Sequence, residues 1–216
     1  MQRNRIIPIL TASLAALAAT ASVASAASVT GTDSGERLVG TKAADSISAL
    51  GGNDRVFALD GADVVSAGEG NDLVVGGRGD DAVSGDAGND LLFANAGVDV
   101  LNGGDGNDRL WAVARVDVVA GADGAVDKVG DTLNGGAGDD RLNARDGEVD
   151  TISCGDGTDV ANLDNADVIS DATAEAPNGS CETVNRAEPK TRDANAVNEN
   201  LQKRAADILA KLRSNR

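Results

Sequence analysis

One acidic side chain recurs every nine residues along the first half of the sequence. The ten positions are Glu36, Asp45, Asp54, Asp63, Asp72, Asp81, Asp90, Asp99, Asp108 and Asp117. Glycine-rich segments such as 76–79 precede these acids, so that turn carbonyl oxygens converge near each carboxylate. Six or more hard oxygen ligands, some from the backbone, are what Ca²⁺ prefers. Softer metals favour His or Cys, and the chain has no histidine.

Two residues after each acid stands an aliphatic side chain. These positions are Leu38, Ile47, Val56, Val65, Val74, Val83, Leu92, Leu101, Leu110 and Val119. A nine-residue period fits neither an α-helix nor a long strand, but it fits a glycine-rich turn followed by a very short strand. Such units stack into a solenoid. One tryptophan, two phenylalanines and no tyrosine favour it over a globular core that relies on large aromatic side chains.

The best copies of this unit belong to a recognisable pattern. They read GGRGDDAVS (76–84), GDAGNDLLF (85–93), GGDGNDRLW (103–111) and GGAGDDRLN (135–143). Over roughly residues 31–170 the chain resembles the haemolysin-type calcium-binding repeat, the G-G-x-G-x-D-x-U-x nonapeptide of RTX proteins. In that family, two nonapeptides form one turn of a parallel β-roll, and Ca²⁺ lies between stacked turns. The resemblance implies an all-β protein, a parallel β-roll (β-solenoid) with Ca²⁺ as cofactor.

The resemblance also implies ligands on both edges of the roll, with carboxylates two units apart sharing an ion. On one edge the triplet Gly-Asn-Asp recurs every eighteen residues, whereas on the other only the Asp81 loop keeps all its glycines. We therefore expect a filled row of ions on the first edge and a sparse row opposite. The expected ligands are Asp54, Asp72, Gly79, Asp81, Gly88, Asp90, Asp99, Gly106, Asp108, Asp140 and Asp159. The alternative is that these aspartates merely terminate turns.

After Asp117 the phase of the repeat slips. Asp131 follows fourteen residues later, so five extra residues enter, and a surface loop at 121–130 is the simple explanation. Beyond it the motif supports ion binding only around Asp140 and Asp159.

Residues 1–26 have the pattern of a secretory signal peptide. Two arginines precede an apolar stretch, and Ala24-Ser25-Ala26 is an A-x-A cleavage signal. A membrane anchor is the alternative, but the stretch lacks a sustained run of Leu, Ile and Val. We expect processing after Ala26, no transmembrane segment in the mature chain, and a secreted, extracellular protein.

Cys154 and Cys181 are the only cysteines. In an exported chain they are expected to form an intramolecular disulfide that closes the end of the solenoid. A catalytic thiol is not supported, because there is no His partner and no C-x-x-C spacing.

Four segments follow from these patterns. They are the signal peptide (1–26), the calcium-binding β-roll (27–170), a disulfide-closed cap (171–188) and a basic amphipathic helical tail (189–216). The tail is predicted to be a short C-terminal helix because apolar residues recur at three or four positions. Docking on its own domain or disorder is favoured over membrane binding.

The charge distribution and the catalytic motifs missing from the sequence limit the functions that the chain could have. Residues 27–185 hold 31 acidic and 9 basic side chains, whereas residues 186–216 hold 4 acidic and 8 basic ones. Such an acidic body repels nucleic acid and attracts cations. Histidine-based triads, a G-x-S-x-G elbow and a P-loop are all missing from the sequence, so we expect no enzyme. Unrecognised carboxylate chemistry is the least favoured alternative.

A row of large apolar side chains is expected on the outer face of one sheet. Its members are Phe57, Leu73, Val75, Leu91, Phe93 and Trp111. An exposed apolar ladder of that size usually indicates a contact, with the tail, a second copy or an envelope component, although some side chains could simply be tolerated there. The sequence therefore supports a secreted β-roll whose folding is coupled to Ca²⁺, and alternatively a cell-surface or envelope-associated adhesion protein that uses this ladder.

Overall fold

The computed structural model describes residues 25–112 and 129–187, with the backbone alone at Val129. Sixteen β-strands and no helix occur in these two ranges. The strands are β1 (Ser28–Thr30), β2 (Arg37–Val39), β3 (Ser46–Ser48), β4 (Arg55–Asp60), β5 (Val64–Ser66), β6 (Leu73–Arg78), β7 (Ala82–Ala87), β8 (Leu91–Ala96), β9 (Val100–Asp105), β10 (Arg109–Trp111), β11 (Val129–Ala137), β12 (Arg141–Ala144), β13 (Val149–Asp156), β14 (Val160–Leu163), β15 (Val168–Ile169) and β16 (Thr183–Arg186). The predicted tail helix and most of the predicted signal peptide lie outside the described residues.

The strands alternate between two parallel sheets. The odd sheet has the order β1-β3-β5-β7-β9-β11-β13-β15, and the even sheet contains the even-numbered strands from β2 to β16 in the same progression. Each circuit of the chain therefore adds one short strand to each sheet. This is the all-β parallel β-solenoid that the nine-residue period predicts.

The eighteen-residue rhythm sets the strand register. Leu92 of β8 pairs with Val74 of β6 and with Leu110 of β10. The aliphatic side chain two residues after each acid points between the sheets. The fully buried members include Val56, Val74, Leu92, Leu101, Leu110, Leu133, Leu142 and Ile152. Burial of one such side chain stabilises by about 1.5–3 kcal/mol, so each turn contributes a similar increment to one continuous core.

Glycines allow neighbouring turns to approach closely. At Gly70 φ is 136°, and a Cβ there would lie 1.9 Å from the carbonyl oxygen of Gly52 in the preceding turn. Equivalent positive-φ glycines stand seven residues after most of the acids. They are Gly52, Gly61, Gly70, Gly79, Gly88, Gly97, Gly106, Gly138 and Gly157. Both the backbone conformation and the lack of space exclude a side chain here.

The interruption of the repeat lies between β10 and β11. Leu133 pairs with Leu101, and 32 residues separate Asp99 from its partner Asp131, where the regular spacing is 18. Asp131 thus takes the place one turn after Asp99 that the nine-residue period assigns to Asp117. The expectation of only five extra residues is wrong, because strand pairing resumes at β11. Asp117 itself lies outside the described residues.

The C-terminal end is closed by covalent and hydrogen-bonded contacts. Cys154 and Cys181 form the predicted disulfide, which spans 27 residues and is buried with the core. Loop entropy alone gives such a bridge about 3–4 kcal/mol of stabilisation. The hydroxyl oxygen of Ser180 accepts the N–H groups of Cys154 at 2.9 Å and Gly155 at 3.1 Å. The chain then returns as β16, which pairs with β14 and extends the even sheet.

The apolar ladder has the expected register but not the expected exposure. Phe57, Val75, Phe93 and Trp111 succeed one another across β4, β6, β8 and β10, outside the core cluster. Phe93 and Trp111 stack with ring centroids 6.1 Å apart, and the Arg37 guanidinium lies 5.9 Å from the Phe57 ring centroid.

The expectation of an exposed ladder is wrong for Phe57 and Phe93, and the other four residues are only partly exposed. Phe57 and Phe93 are each only 6% exposed, and Leu73, Val75, Leu91 and Trp111 are half-buried. Large side chains on adjacent strands cover one another, because strands lie about 4.8 Å apart. The exposed valines, Val64, Val100, Val149 and Val168, lie on the odd sheet instead.

We predict that Gly70→Ala disrupts the roll while Gly51→Ala does not. The Gly70 position combines a positive φ with a backbone clash, so the substitution should cost at least about 1–3 kcal/mol. A Cβ at Gly51 meets its nearest atom at 3.6 Å, an ordinary contact. Urea unfolding followed by far-UV circular dichroism measures both variants. Equal stability of the two would contradict the close approach of the turns.

Candidate metal centre

The recurring aspartates form a hydrogen-bonded column along each edge of the roll. In every rung between two aspartates, Oδ1 of the later aspartate accepts the backbone N–H of the aspartate one turn earlier. On the edge that carries the Gly-Asn-Asp triplets, which we call the Asn-Asp edge, the N···Oδ1 distance is 2.6 Å from Asp54 to Asp72 and 2.8 Å from Asp72 to Asp90. This edge continues through Asp108, Asp140 and Asp159. The predicted ligand pairs are therefore brought together in register.

A second column follows the other edge of the roll, which we call the opposite edge. The N–H of Asp63 donates to Asp81 at 2.9 Å, and that of Asp81 donates to Asp99 at 2.8 Å. The column then crosses the interruption without a gap. The remaining rungs join Asp99 to Asp131, Asp131 to Asp150, and Asp150 to Asp167.

The other carboxylate oxygen in most rungs has no hydrogen-bond partner. Among the described residues, this orphaned Oδ2 occurs in Asp54, Asp63, Asp72, Asp81, Asp90, Asp99, Asp108, Asp140, Asp150 and Asp159. Each of these side chains is at most 3% exposed. A buried ionised carboxylate without a partner costs several kcal/mol. The columns therefore require either protons or cations.

Backbone oxygens converge on the orphaned oxygens beside a glycine. A Cβ on Gly85 would lie 2.4 Å from Asp90 Oδ2 and 2.5 Å from the carbonyl oxygen of Gly103 in the next turn. The same arrangement recurs at Gly76, Gly103 and Gly135, five residues before Asp81, Asp108 and Asp140. Each cradle thus combines a carboxylate oxygen with a carbonyl oxygen from the neighbouring turn. This mixed donor set fits a hard cation.

Side chains alone do not complete such a site. Within residues 25–112 and 129–187, no group of three or more His, Cys, Asp or Glu side chains is arranged to hold a metal ion. The reason is that the column places only one carboxylate per turn on each edge. A bound ion must therefore take most of its ligands from turn carbonyls.

The recurring asparagines join neighbouring turns by hydrogen bonds. The sequence alone does not distinguish this structural role from a role in ion binding. The N–H of Asn71 donates to Asn53 Oδ1, and the N–H of Asn89 donates to Asn71 Oδ1, both at 2.8 Å. Asn107 and Asp139 continue this second ladder on the Asn-Asp edge. The triplets thus stack the turns through exposed amides, so the asparagine is not by itself evidence for a filled row of ions.

Burial raises the carboxyl pKa values on both edges. On the opposite edge, desolvation, reinforced by repulsion from neighbouring acids, raises the pKa of Asp81 to about 8 and that of Asp131 to about 9. On the Asn-Asp edge the same causes raise the pKa of Asp90 and Asp140 to about 7. The opposite edge, on which a sparse row of ions is expected, therefore needs positive charge at least as strongly as the Asn-Asp edge does.

Comparison with known families agrees with this geometry. The model of the RTX calcium-binding nonapeptide repeat (4 copies) matches residues 30–65, 50–83, 57–92, 75–110 and 130–161, which together cover just over half of the chain. The chain belongs to this family. RTX nonapeptide repeats are calcium-binding motifs, so Ca²⁺ is the cofactor of the roll. No curated protein and no solved structure matches the chain.

The structure places the predicted ligand aspartates and the predicted ligand glycines in different surroundings, and the binding of ions by either group stays a prediction. All eight predicted ligand aspartates lie in the two columns and are buried. Gly79, Gly88 and Gly106 instead pack against the glycine carbonyl of the preceding turn rather than beside an orphaned oxygen. The glycines that do face a carboxylate are the first of each nonapeptide, such as Gly85, which the expected ligand set does not include.

Several members of the columns were missed because their loops depart from the RTX motif. Asp63 keeps the nine-residue phase, and Asp131 and Asp150 are followed by Leu133 and Ile152 in the core, a signal that could have identified them. Glu182 was not detectable in this way. Its Oε2 accepts the N–H of Asp159 at 2.7 Å from 23 residues away, outside the period.

We predict that the calcium-free roll is more stable in acid than at neutral pH. An aspartate in the unfolded chain titrates near pH 3.9, whereas Asp81 has a folded pKa of about 8. Between these values the folded state binds more protons, so its stability falls as the pH rises. In EDTA, the β signal in far-UV circular dichroism should be largest near pH 4 and decline toward pH 8. Equal stability at pH 4 and pH 8 would contradict the presence of unpaired buried carboxylates. Excess calcium should remove the decline toward pH 8.

We predict opposite effects of Asp90→Asn with and without calcium. The amide oxygen can still accept the Asp72 N–H, while the buried charge is removed. Without calcium at pH 8, the variant should be more stable than wild type by roughly 1 kcal/mol. With calcium, its binding midpoint should rise several-fold. Glu175→Gln, at an exposed side chain of the cap, is the charge-removing control and should change neither quantity. A loss of stability in both conditions would contradict the proposed role.

Proposed function

We propose that the chain is a secreted calcium-binding β-roll whose folding is coupled to Ca²⁺ binding in its Gly/Asp-rich turns. The observation that carries this proposal is the series of buried carboxylates with orphaned Oδ2 atoms, which is unbroken from Asp54 to Asp159 on the Asn-Asp edge and recurs at Asp63, Asp81, Asp99 and Asp150 on the opposite edge. The RTX family match identifies calcium as the cation. The proposed ligands are the column aspartates, together with backbone carbonyls such as that of Gly103.

The magnitude of the charge repulsion supports coupling to folding. Neighbouring rungs occupy adjacent strands of a sheet, which lie about 4.8 Å apart. Two unit charges at that distance repel by roughly 3–4 kcal/mol at an effective dielectric constant of about 20. Each edge contains five or more such contacts in succession, whereas a whole domain is stable by only about 5–15 kcal/mol. A fully ionised column therefore opposes folding unless cations neutralise it.

Sharing of turns makes the proposed binding cooperative. An ion held between two turns neutralises their carboxylates and orders the backbone that forms the next site. Calcium sites of extracellular modules have dissociation constants of about 10⁻⁴–10⁻³ M. Millimolar calcium outside a cell would then fold the chain, and lower calcium inside would leave it unfolded.

Secretion is proposed from the leader and the disulfide. The A-x-A sequence ending at Ala26 precedes the first strand, and the buried Cys154–Cys181 bridge suits an oxidising compartment. In the part of the chain that the structure describes, no helix is long and apolar enough to cross a membrane.

An adhesive or envelope-associated role has no comparable support. That alternative needed an exposed ladder, and its six residues are buried or half-buried. RTX repeats generally have structural or calcium-binding roles rather than catalytic ones. We therefore propose a binding module without enzymatic activity.

The decisive experiment is a calcium titration of the chain from Ala27 onward, starting in EDTA at pH 8. We expect a sigmoidal gain of β signal in far-UV circular dichroism, because turns share ions. Magnesium at the same concentrations is the control and should fail, since it demands near-octahedral coordination and keeps its waters. A complete β signal in EDTA at pH 8 would contradict the coupling of folding to calcium binding. A magnesium response equal to that of calcium would contradict the selectivity for calcium.

A further inference from the structure

The first rung of the opposite edge, at Asp45, differs from the three that follow it at Asp63, Asp81 and Asp99. Asp45 is 3% exposed, and both of its carboxylate oxygens have partners. Oδ1 accepts the backbone N–H of Ala27 at 2.6 Å and the hydroxyl of Thr41 at 2.9 Å, while Oδ2 accepts the backbone N–H of Thr41. This rung therefore has no orphaned oxygen to offer a cation.

Ala27 is the residue at which the roll begins. Its nitrogen lies eighteen residues before Asp45 and takes the place that an aspartate N–H takes in every later rung. Its carbonyl oxygen accepts the N–H of Ser46 at 2.9 Å. Ser25 and Ala26 are exposed just before it, and Ser25 meets the roll through a long contact of 3.3 Å between its carbonyl oxygen and the Thr41 hydroxyl. The start of the roll coincides with the predicted processing point.

We propose that removal of the leader between Ala26 and Ala27 creates an α-ammonium group that pairs with the buried Asp45 carboxylate and serves as the roll's own cation at this end. A leader peptidase would hydrolyse the Ala26–Ala27 peptide bond with one water molecule. The Ala26 carbonyl leaves as a carboxylate with the leader, and the Ala27 nitrogen becomes an amine that is protonated at neutral pH. The hydrogen bond to Asp45 then becomes charge-assisted.

The geometry makes this pairing specific to one processing position. A chain that began one residue earlier or later would move its ammonium group by about 3.3 Å along the strand. That displacement takes the charge out of hydrogen-bonding range of Asp45 Oδ1. The same nitrogen in the unprocessed chain donates only as a neutral amide, and charge-assisted hydrogen bonds are roughly twice as strong. Processing at Ala27 would thus stabilise the roll without a bound ion at this rung.

The test compares three forms of the chain through to residue 216. One begins at Ala27 with a free amine, one begins at Ala27 with an Nα-acetyl group, and one retains Ser25 and Ala26. All are unfolded in urea at pH 7 in saturating calcium. We expect the unfolding equilibrium constant to be about fivefold larger for the acetylated and the extended chains. The acetylated chain needs no mutation and keeps the N–H donor, so it isolates the charge.

Asp45→Asn provides the matched background, in which all three forms should be equally stable. Equal stability of the free-amine and acetylated chains with Asp45 intact would overturn the proposal. So would mass spectrometry of the exported full-length chain that showed a first residue other than Ala27. The inference rests on the secretory leader of the proposed function but not on calcium-coupled folding, because calcium is constant and saturating throughout. A failed calcium titration and a failed ammonium comparison are therefore separate results.

Discussion

The rest of the fold depends on one hydrogen bond, from the backbone N–H of an aspartate to Oδ1 of the aspartate one turn later. It fixes the edge of every turn relative to its neighbour, and so holds the aliphatic side chain two residues on, such as Leu92, in the core. It also draws the carboxylate out of water and leaves Oδ2 without a partner. Structural order and a requirement for positive charge are therefore produced by the same contact.

The two ends of the charged columns are completed by different groups. On the opposite edge, Ala27 and Thr41 satisfy Asp45. On the Asn-Asp edge, Glu182 accepts the N–H of Asp159 after the chain has passed through the disulfide. An open end of a solenoid exposes unpaired backbone and apolar surface, and these end groups satisfy polar atoms that would otherwise be left unpaired there. Most interior rungs, by contrast, keep an orphaned Oδ2 that a cation can neutralise.

Much of this architecture follows from the sequence because its period is local. The position of Leu92 in the core needs only a count of nine from Leu101. Long-range pairing does not follow from the period. The period predicts Asp117 as the hydrogen-bond partner of Asp99, but the partner is Asp131, because strand pairing and not distance along the chain sets the register. Context also overrides residue type. Phe93 is apolar on an outward face yet buried by its neighbours, and Asn89 recurs with Asp90 because amides stack turns. The sequence pattern alone does not show which of these contacts a residue makes.

The connection between β10 and β11 has a consequence for how such a chain changes over time. The strands pair in register across it, with Leu101 opposite Leu133 and Leu110 opposite Leu142. Successive aspartates of a column are 32 residues apart there instead of 18. Loop closure becomes only slightly more costly with length, by about 0.6 kcal/mol per doubling. This point is therefore a natural graft site, where new peptide sequence, with new recognition properties, can be inserted by evolution or by an engineer while the supporting scaffold stays the same.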